Sequence, residues 1–121
     1  MELQFDNYIL SYEDGGIEVR KNGTLLYFNR RPMFVTVKTS FAVSEFYDAA
    51  YEKAEMRDGR MVAEGTLRVP SGSGFAFIDT YEAGDAGFRL QRCVKVVEAG
   101  DDLGFSSKFS LVMAESEDPH D

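Results

Sequence analysis

The sequence has no tryptophan, one cysteine, one histidine and three prolines, and its basic residues are outnumbered, 13 against 21 acidic. Each scarcity closes off a class of chemistry. Cys93 alone can form no intramolecular disulfide and no cysteine-rich zinc site. His120, the lone histidine, stands in a run of polar residues near the last position, so Ser-His and Cys-His mechanisms lack a base that could be held against a nucleophile. No loop has calcium-binding spacing and no glycine motif is of the phosphate-binding kind. Asp101 and Asp102 follow Gly100 as an ordinary turn does. No metal and no cofactor are therefore expected.

A formal charge of -8 repels a phosphate backbone and an anionic bilayer face, which argues against nucleic-acid and membrane partners. No apolar run approaches the roughly eighteen residues of a membrane-spanning helix. Residues 1–10 carry acids early, with no basic leader and no apolar core of signal-peptide length. A soluble chain is expected, and the missing leader and disulfides favour the cytoplasm.

What the sequence does have is alternation punctuated by turn dipeptides. Asp14-Gly15, Asn22-Gly23 and Asp58-Gly59 tolerate the positive φ angles of two-residue hairpin turns. The first sets Leu10 opposite Val19 and Tyr12 opposite Ile17. The second sets Val19 opposite Leu26 and Ile17 opposite Phe28, which predicts a three-stranded meander from Tyr8 to Asn29 with one apolar face. The third sets Met56 opposite Met61 and Ala54 opposite Ala63, continuing through Gly65, Leu67 and Val69. Beyond Pro32, Met33, Val35, Val37, Phe41 and Val43 alternate through a long strand. Residues 44–52 are ambiguous. Ser44 can cap a short helix holding Phe46, Ala49 and Ala50, while the register from Asp58-Gly59 favours a strand over the second half. Pro70 to Gly74 is long enough to pass from one sheet to another. Phe105, Phe109, Leu111 and Met113 alternate in a last strand.

These signals predict one domain over residues 1–114, an all-β, antiparallel two-sheet β-sandwich of about eight or nine strands. A short helix near 44–52 is the alternative for that stretch, and residues 115–121 form a disordered acidic tail.

The candidate site lies in the hairpin of residues 75–97. Phe75, Phe77, Asp79 and Tyr81 run at period two toward a turn at Gly84-Asp85, and Phe88, Leu90, Arg92, Val94 and Val96 run back. A two-residue turn there sets Asp79 opposite Leu90 and Phe77 opposite Arg92, leaving Asp79 and Arg92 diagonal neighbours on the apolar face. An inward acid and base are tolerated as an ion pair, and the alternative is that they grip a sugar hydroxyl. Asp79 with Glu82 or Asp85 is the obvious carboxylate pair for glycosidic chemistry, but Glu82 falls on the opposite face and Asp85 in the turn, so no catalytic residue is assigned. Tyr81 beside the pair, and Tyr47 and Tyr51 as exposed rings in an acidic stretch, complete the ligand-binding candidates. Asn22-Gly23-Thr24 matches a glycosylation acceptor whose asparagine the turn already explains.

The stretch Phe77, Asp79, Tyr81, Phe88, Arg92, Val94, Val96, followed by GFSSKFSLVM over 104–113, resembles the β-sandwich (supersandwich) domains that precede an α-helical toroid in some glycoside hydrolases, phosphorylases and polysaccharide lyases. The resemblance implies a non-catalytic accessory domain, because in such enzymes the catalytic carboxylates sit mainly on the helical domain. Its partner would be a catalytic domain or a glycan cleft that it helps to line. Two alternatives stand beside it. One is a self-standing binding or assembly module that forms homo-oligomers through a sheet edge or apolar face. The other is a small carboxylate-dependent, glycosidase-like enzyme, which needs Asp79 or a neighbour in a pocket with a raised pKa.

Overall fold

A computed structural model describes residues 1–38, 44–70, 72–98 and 104–106. Among them the chain forms only strands: β1 (Glu2–Phe5), β2 (Tyr8–Glu13), β3 (Gly16–Lys21), β4 (Thr24–Asn29), β5 (Met33–Lys38), β6 (Ser44–Ala49), β7 (Lys53–Arg57), β8 (Arg60–Arg68), β9 (Gly74–Ala83), β10 (Phe88–Glu98) and β11 (Gly104–Ser106). All pairings are antiparallel, in sheets ordered β1-β2-β3-β4, β10-β9-β8-β7 and β11-β5-β6. The expected all-β sandwich is what forms, with eleven described strands in place of eight or nine and a small third sheet beside the two of four. No described helix is long and apolar enough to cross a membrane.

Local chemistry sets the hairpins. Asp14, Asn22 and Asp58 hold φ of 51°, 51° and 49°, each followed by a glycine at positive φ, as two-residue turns with right-handed strand twist require. Leu10 pairs with Val19, Tyr12 with Ile17, Met56 with Met61 and Ala54 with Ala63, as the turn dipeptides imply. Asp6, at φ 53°, closes a further hairpin between β1 and β2, so the meander has four strands. No dipeptide of the glycine kind marks that turn.

Two expectations are corrected and one open choice is decided. A bulge between Val19 and Arg20 shifts the β3–β4 register, so Val19 pairs with Tyr27 and Ile17 with Asn29. An odd slip exchanges the faces of a strand. Tyr27 therefore packs against the core, while Leu26 and Phe28, expected inward, are 50% and 55% exposed. Of the two readings open for residues 44–52, the strand is what forms over 44–49, as β6 paired antiparallel with β5, Val35 opposite Tyr47 and Val37 opposite Glu45. Pro70 to Gly74 does not change sheets; Val69 N–H donates to the Ser73 carbonyl at 3.0 Å and β8 and β9 are direct partners. Phe41, Val43, Asp101, Asp102, Phe109, Leu111, Met113, His120 and the tail over 115–121 lie outside the described residues.

One core joins the sheets. Leu3, Leu10, Ile17 and Val19 meet Met61, Phe75, Phe77, Tyr81 and Phe88, with Met33, Val35 and Val37 from the small sheet. The rings of Phe5 and Phe88 make an edge contact across the interface, centroids 6.3 Å apart. Burial of this apolar surface is the main term holding the sheets together.

Candidate functional site

Residues 50–52 cross from β6 to β7 and are fastened to the two four-stranded sheets. Tyr51 N–H donates to the Gly15 carbonyl at 2.8 Å, in the β2–β3 turn, and Glu52 N–H donates to the Glu64 carbonyl at 2.8 Å, in β8. The Glu52 carboxylate accepts from the Thr66 amide at 3.0 Å. These bonds turn the Tyr51 ring inward, where it is 4% exposed. Tyr51 was expected on the surface; backbone anchoring at a sheet crossing, which carries no periodic pattern, places it in the core instead.

There it meets the acid and the base. The β9–β10 connection is the four-residue loop Gly84–Gly87, closed by Gly84 N–H donating to the Gly87 carbonyl at 2.7 Å, and it sets Asp79 directly opposite Arg92. The two-residue turn expected at Gly84-Asp85 is thus corrected by two positions, an even shift that keeps the face and changes the partner. Arg92 Nε donates to Asp79 Oδ1 at 2.9 Å and Nη2 to Oδ2 at 2.6 Å, a fork-on-carboxylate pair. Asp79 is 0% exposed and the Arg92 side chain 5%. Nη2 also donates to the Pro32 carbonyl at 2.7 Å. The guanidinium carbon lies 4.9 Å from the Phe77 ring centre and 5.2 Å from that of Phe34, where the ring faces stabilise a cation.

The phenols complete the network with a defined direction. A carboxylate can only accept, so the Tyr51 hydroxyl donates its single proton to Asp79 Oδ2. The Tyr81 hydroxyl, 2.6 Å from that of Tyr51, must then be the donor between them. Burial, with the neighbouring Tyr81 and Asp79 charges, pushes the Tyr51 phenol far above its ordinary pKa. Burial also raises Tyr81, against a smaller opposing effect of its hydrogen bond to Tyr51. For Arg92, burial opposes the charge, but the hydrogen bonds and charge of Asp79 outweigh it, so the proton is held more tightly than usual. Among the described residues no buried side-chain nitrogen or oxygen is left without a hydrogen-bond partner.

Asp79, Arg92, Tyr81 and Tyr51 thus form one closed cluster, and Tyr47 stands apart from it. On β6 the Tyr47 hydroxyl donates to Glu45 at 2.6 Å, and that hydrogen bond raises its pKa. Glu82 points to the opposite face of β9, where it meets Arg60. The roles of Pro32 and Phe34 were not visible in the sequence, since a carbonyl and a ring face announce nothing by residue type. No group of three or more potential metal ligands gathers among the described residues.

An acid whose oxygens are all engaged and which has no surface in contact with solvent cannot receive a substrate without breaking the network first. Its chemistry is that of a polar lock joining β9, β10, the β4–β5 corner at Pro32 and the crossing at Tyr51. Compared with known proteins, the chain matches no family, no curated sequence and no solved structure.

Proposed function

We propose that the chain is a non-catalytic packing module, an accessory β-sandwich that docks on a partner protein. In the form that the resemblance implies, that partner is the catalytic domain of a carbohydrate-active enzyme whose cleft the module braces. The observation that carries the reading is the apolar outer surface of edge strand β4, where Leu25, Leu26 and Phe28 are exposed while the acid and base of the core are sealed. A strand at the edge of its sheet among the described residues, with exposed apolar side chains, is a ready docking surface.

Charge selects among partners. Arg30 stacks on Phe28, 5.5 Å from its ring centre, while Arg20 and Arg31 near it are answered by Glu18 at 3.2 Å and Asp48 at 2.7 Å. The Arg30 cation beside the exposed Phe28 favours an acidic group on the partner surface over a second copy of the same edge, which would bring like charges together. The self-assembling alternative uses the same strand and is separated by the same experiment.

That experiment is light-scattering mass of the native protein and of Leu26→Asp with Phe28→Asp, together with binding to any α-toroid domain that the neighbouring reading frames encode; the absence of such a domain overturns the carbohydrate-enzyme form of the reading. A heteromeric complex weakened at least tenfold in the variant supports the reading. A complex indifferent to the variant overturns the assigned surface, and a homodimer abolished by it transfers the reading to self-assembly.

A further inference from the structure

The outer face of the β8–β9–β10 sheet holds a cleft that the docking reading does not use. Its volume is about 320 Å3, near the lower end of the roughly 300–1,000 Å3 typical of small-molecule sites. Arg60, Thr80, Glu82, Arg89 and Gln91 line it. Alternation puts them there: Thr80 and Glu82 are the outward neighbours of buried Asp79 and Tyr81, and their ladder partners on β10 are Gln91 and Arg89. Arg60 reaches in from β8.

The charges in the cleft do not balance. Arg60 Nε donates to Glu82 Oε1 at 2.8 Å, a full charge-assisted hydrogen bond. Arg89 Nη1 stands 3.6 Å from Glu82 Oε2, beyond hydrogen-bond length, so the pairing is electrostatic alone. Among the described residues two guanidiniums share one carboxylate, which leaves the cleft one net positive charge on a strongly acidic protein. Cross-strand hydrogen bonding fixes the spacing of these side chains, because all rise from paired positions of a rigid sheet. The Thr80 hydroxyl and Gln91 amide add donors and acceptors beside them.

From this we infer that the cleft binds a small hydroxylated anion, a sugar acid or sugar phosphate. The anionic group takes the Arg89 fork, with Arg60 behind it, and hydroxyls meet Glu82, Thr80 and Gln91. Glu82 orients both arginines and competes with the ligand for them, so its charge sets the affinity. The site is independent of the β4 edge, and its failure would leave the docking proposal standing.

The test follows backbone amides of Thr80, Glu82, Arg89 and Gln91 by two-dimensional NMR. The full chain is titrated with D-glucuronate, glucose 6-phosphate, D-glucose and inorganic phosphate, each at ionic strength matched with sodium chloride. Saturable shifts confined to the cleft are expected with the two anionic sugars, with neutral glucose at least tenfold weaker. Glucuronate binding without glucose 6-phosphate, or the reverse, identifies the source of the anion. Arg89→Ala is expected to weaken binding at least tenfold, and Glu82→Gln to strengthen it. Both residues are at the surface, and unchanged dispersion of the remaining amides verifies folding. Absence of saturable shifts, equal response to glucose, response to inorganic phosphate as strong as to the sugars, or tighter binding by Arg89→Ala overturns the proposal.

Discussion

Asp79 and Arg92 face each other directly across β9 and β10, two hydrogen bonds joining a carboxylate and a guanidinium that are almost wholly removed from water. Bringing both charges inside carries a large desolvation cost, offset only because the Tyr51 hydroxyl, the Pro32 carbonyl and the Phe34 and Phe77 rings complete their surroundings.

Removing one partner is therefore worse than removing both. Arg92→Ala strands a buried carboxylate and is expected to cost about 3–5 kcal/mol of unfolding free energy. Asp79→Leu with Arg92→Leu should cost less than Asp79→Leu or Arg92→Ala alone, and adding Tyr51→Phe together with Tyr81→Phe should recover more, because both buried hydroxyls then go and neither is left without a partner. Urea unfolding of Arg92→Ala, Asp79→Leu, the double variant and the variant with both tyrosines also replaced checks the order; a double variant less stable than both singles would refute a charge-pair lock.

The phenols give a signature at high pH. Both Tyr51 and Tyr81 have folded-state pKa values above the unfolded value of about 10. Their contribution is thus fully present below the unfolded pKa and is lost as pH rises above it toward the folded values, because the unfolded chain then binds fewer protons. Each should steepen the fall of stability by about 1.4 kcal/mol per pH unit above that point. Phenolate absorbance should leave Tyr51 and Tyr81 silent until the fold opens, and Tyr51→Phe should reduce the slope by one proton.

The sequence made some of this visible for identifiable reasons. The turns at Asp14-Gly15 and Asp58-Gly59 were legible because positive φ restricts residue choice, and their registers followed. The β9–β10 face was legible for a different reason, since the true loop differs from a two-residue turn by an even number, so the inward acid and base survived while their direct opposition did not. The β3–β4 register was lost at a one-residue bulge, a backbone adjustment without a residue signature. Tyr51 was misplaced because residues 50–52 belong to no strand, and hydrogen bonds that they donate to the Gly15 and Glu64 carbonyls and accept from the Thr66 amide fix where they go.

Gly16 tests the corner where β3 meets the start of the β4–β5 connection. A methyl group there would lie 2.5 Å from the Asn29 carbonyl oxygen and 2.7 Å from the Arg30 Cα, both backbone atoms that cannot swing aside. Gly16→Ala should cost about 1–3 kcal/mol by overpacking. Gly59→Ala meets nothing within 4 Å and is strained only by its φ of 79°. Thermal unfolding of both variants compares a steric penalty with a conformational one, and a tolerated Gly16→Ala would mean that the β4–β5 corner is free to move.

Strand β4 offers the sharpest contrast between the two registers. If Leu26 and Phe28 faced inward, as a turn at Asn22-Gly23 without a bulge requires, Leu26→Ser with Phe28→Ser would cut two large side chains out of the core and cost several kcal/mol. With the bulge, both rest on the surface, and the double variant should stay within about 0.5 kcal/mol of the native stability. Leu10→Ala, two strands away in the same sheet and fully buried, should lose about 2–5 kcal/mol and serves as the internal standard. A near-native denaturation midpoint for the β4 variant, combined with loss of partner binding, would assign Leu26 and Phe28 to docking and not to folding.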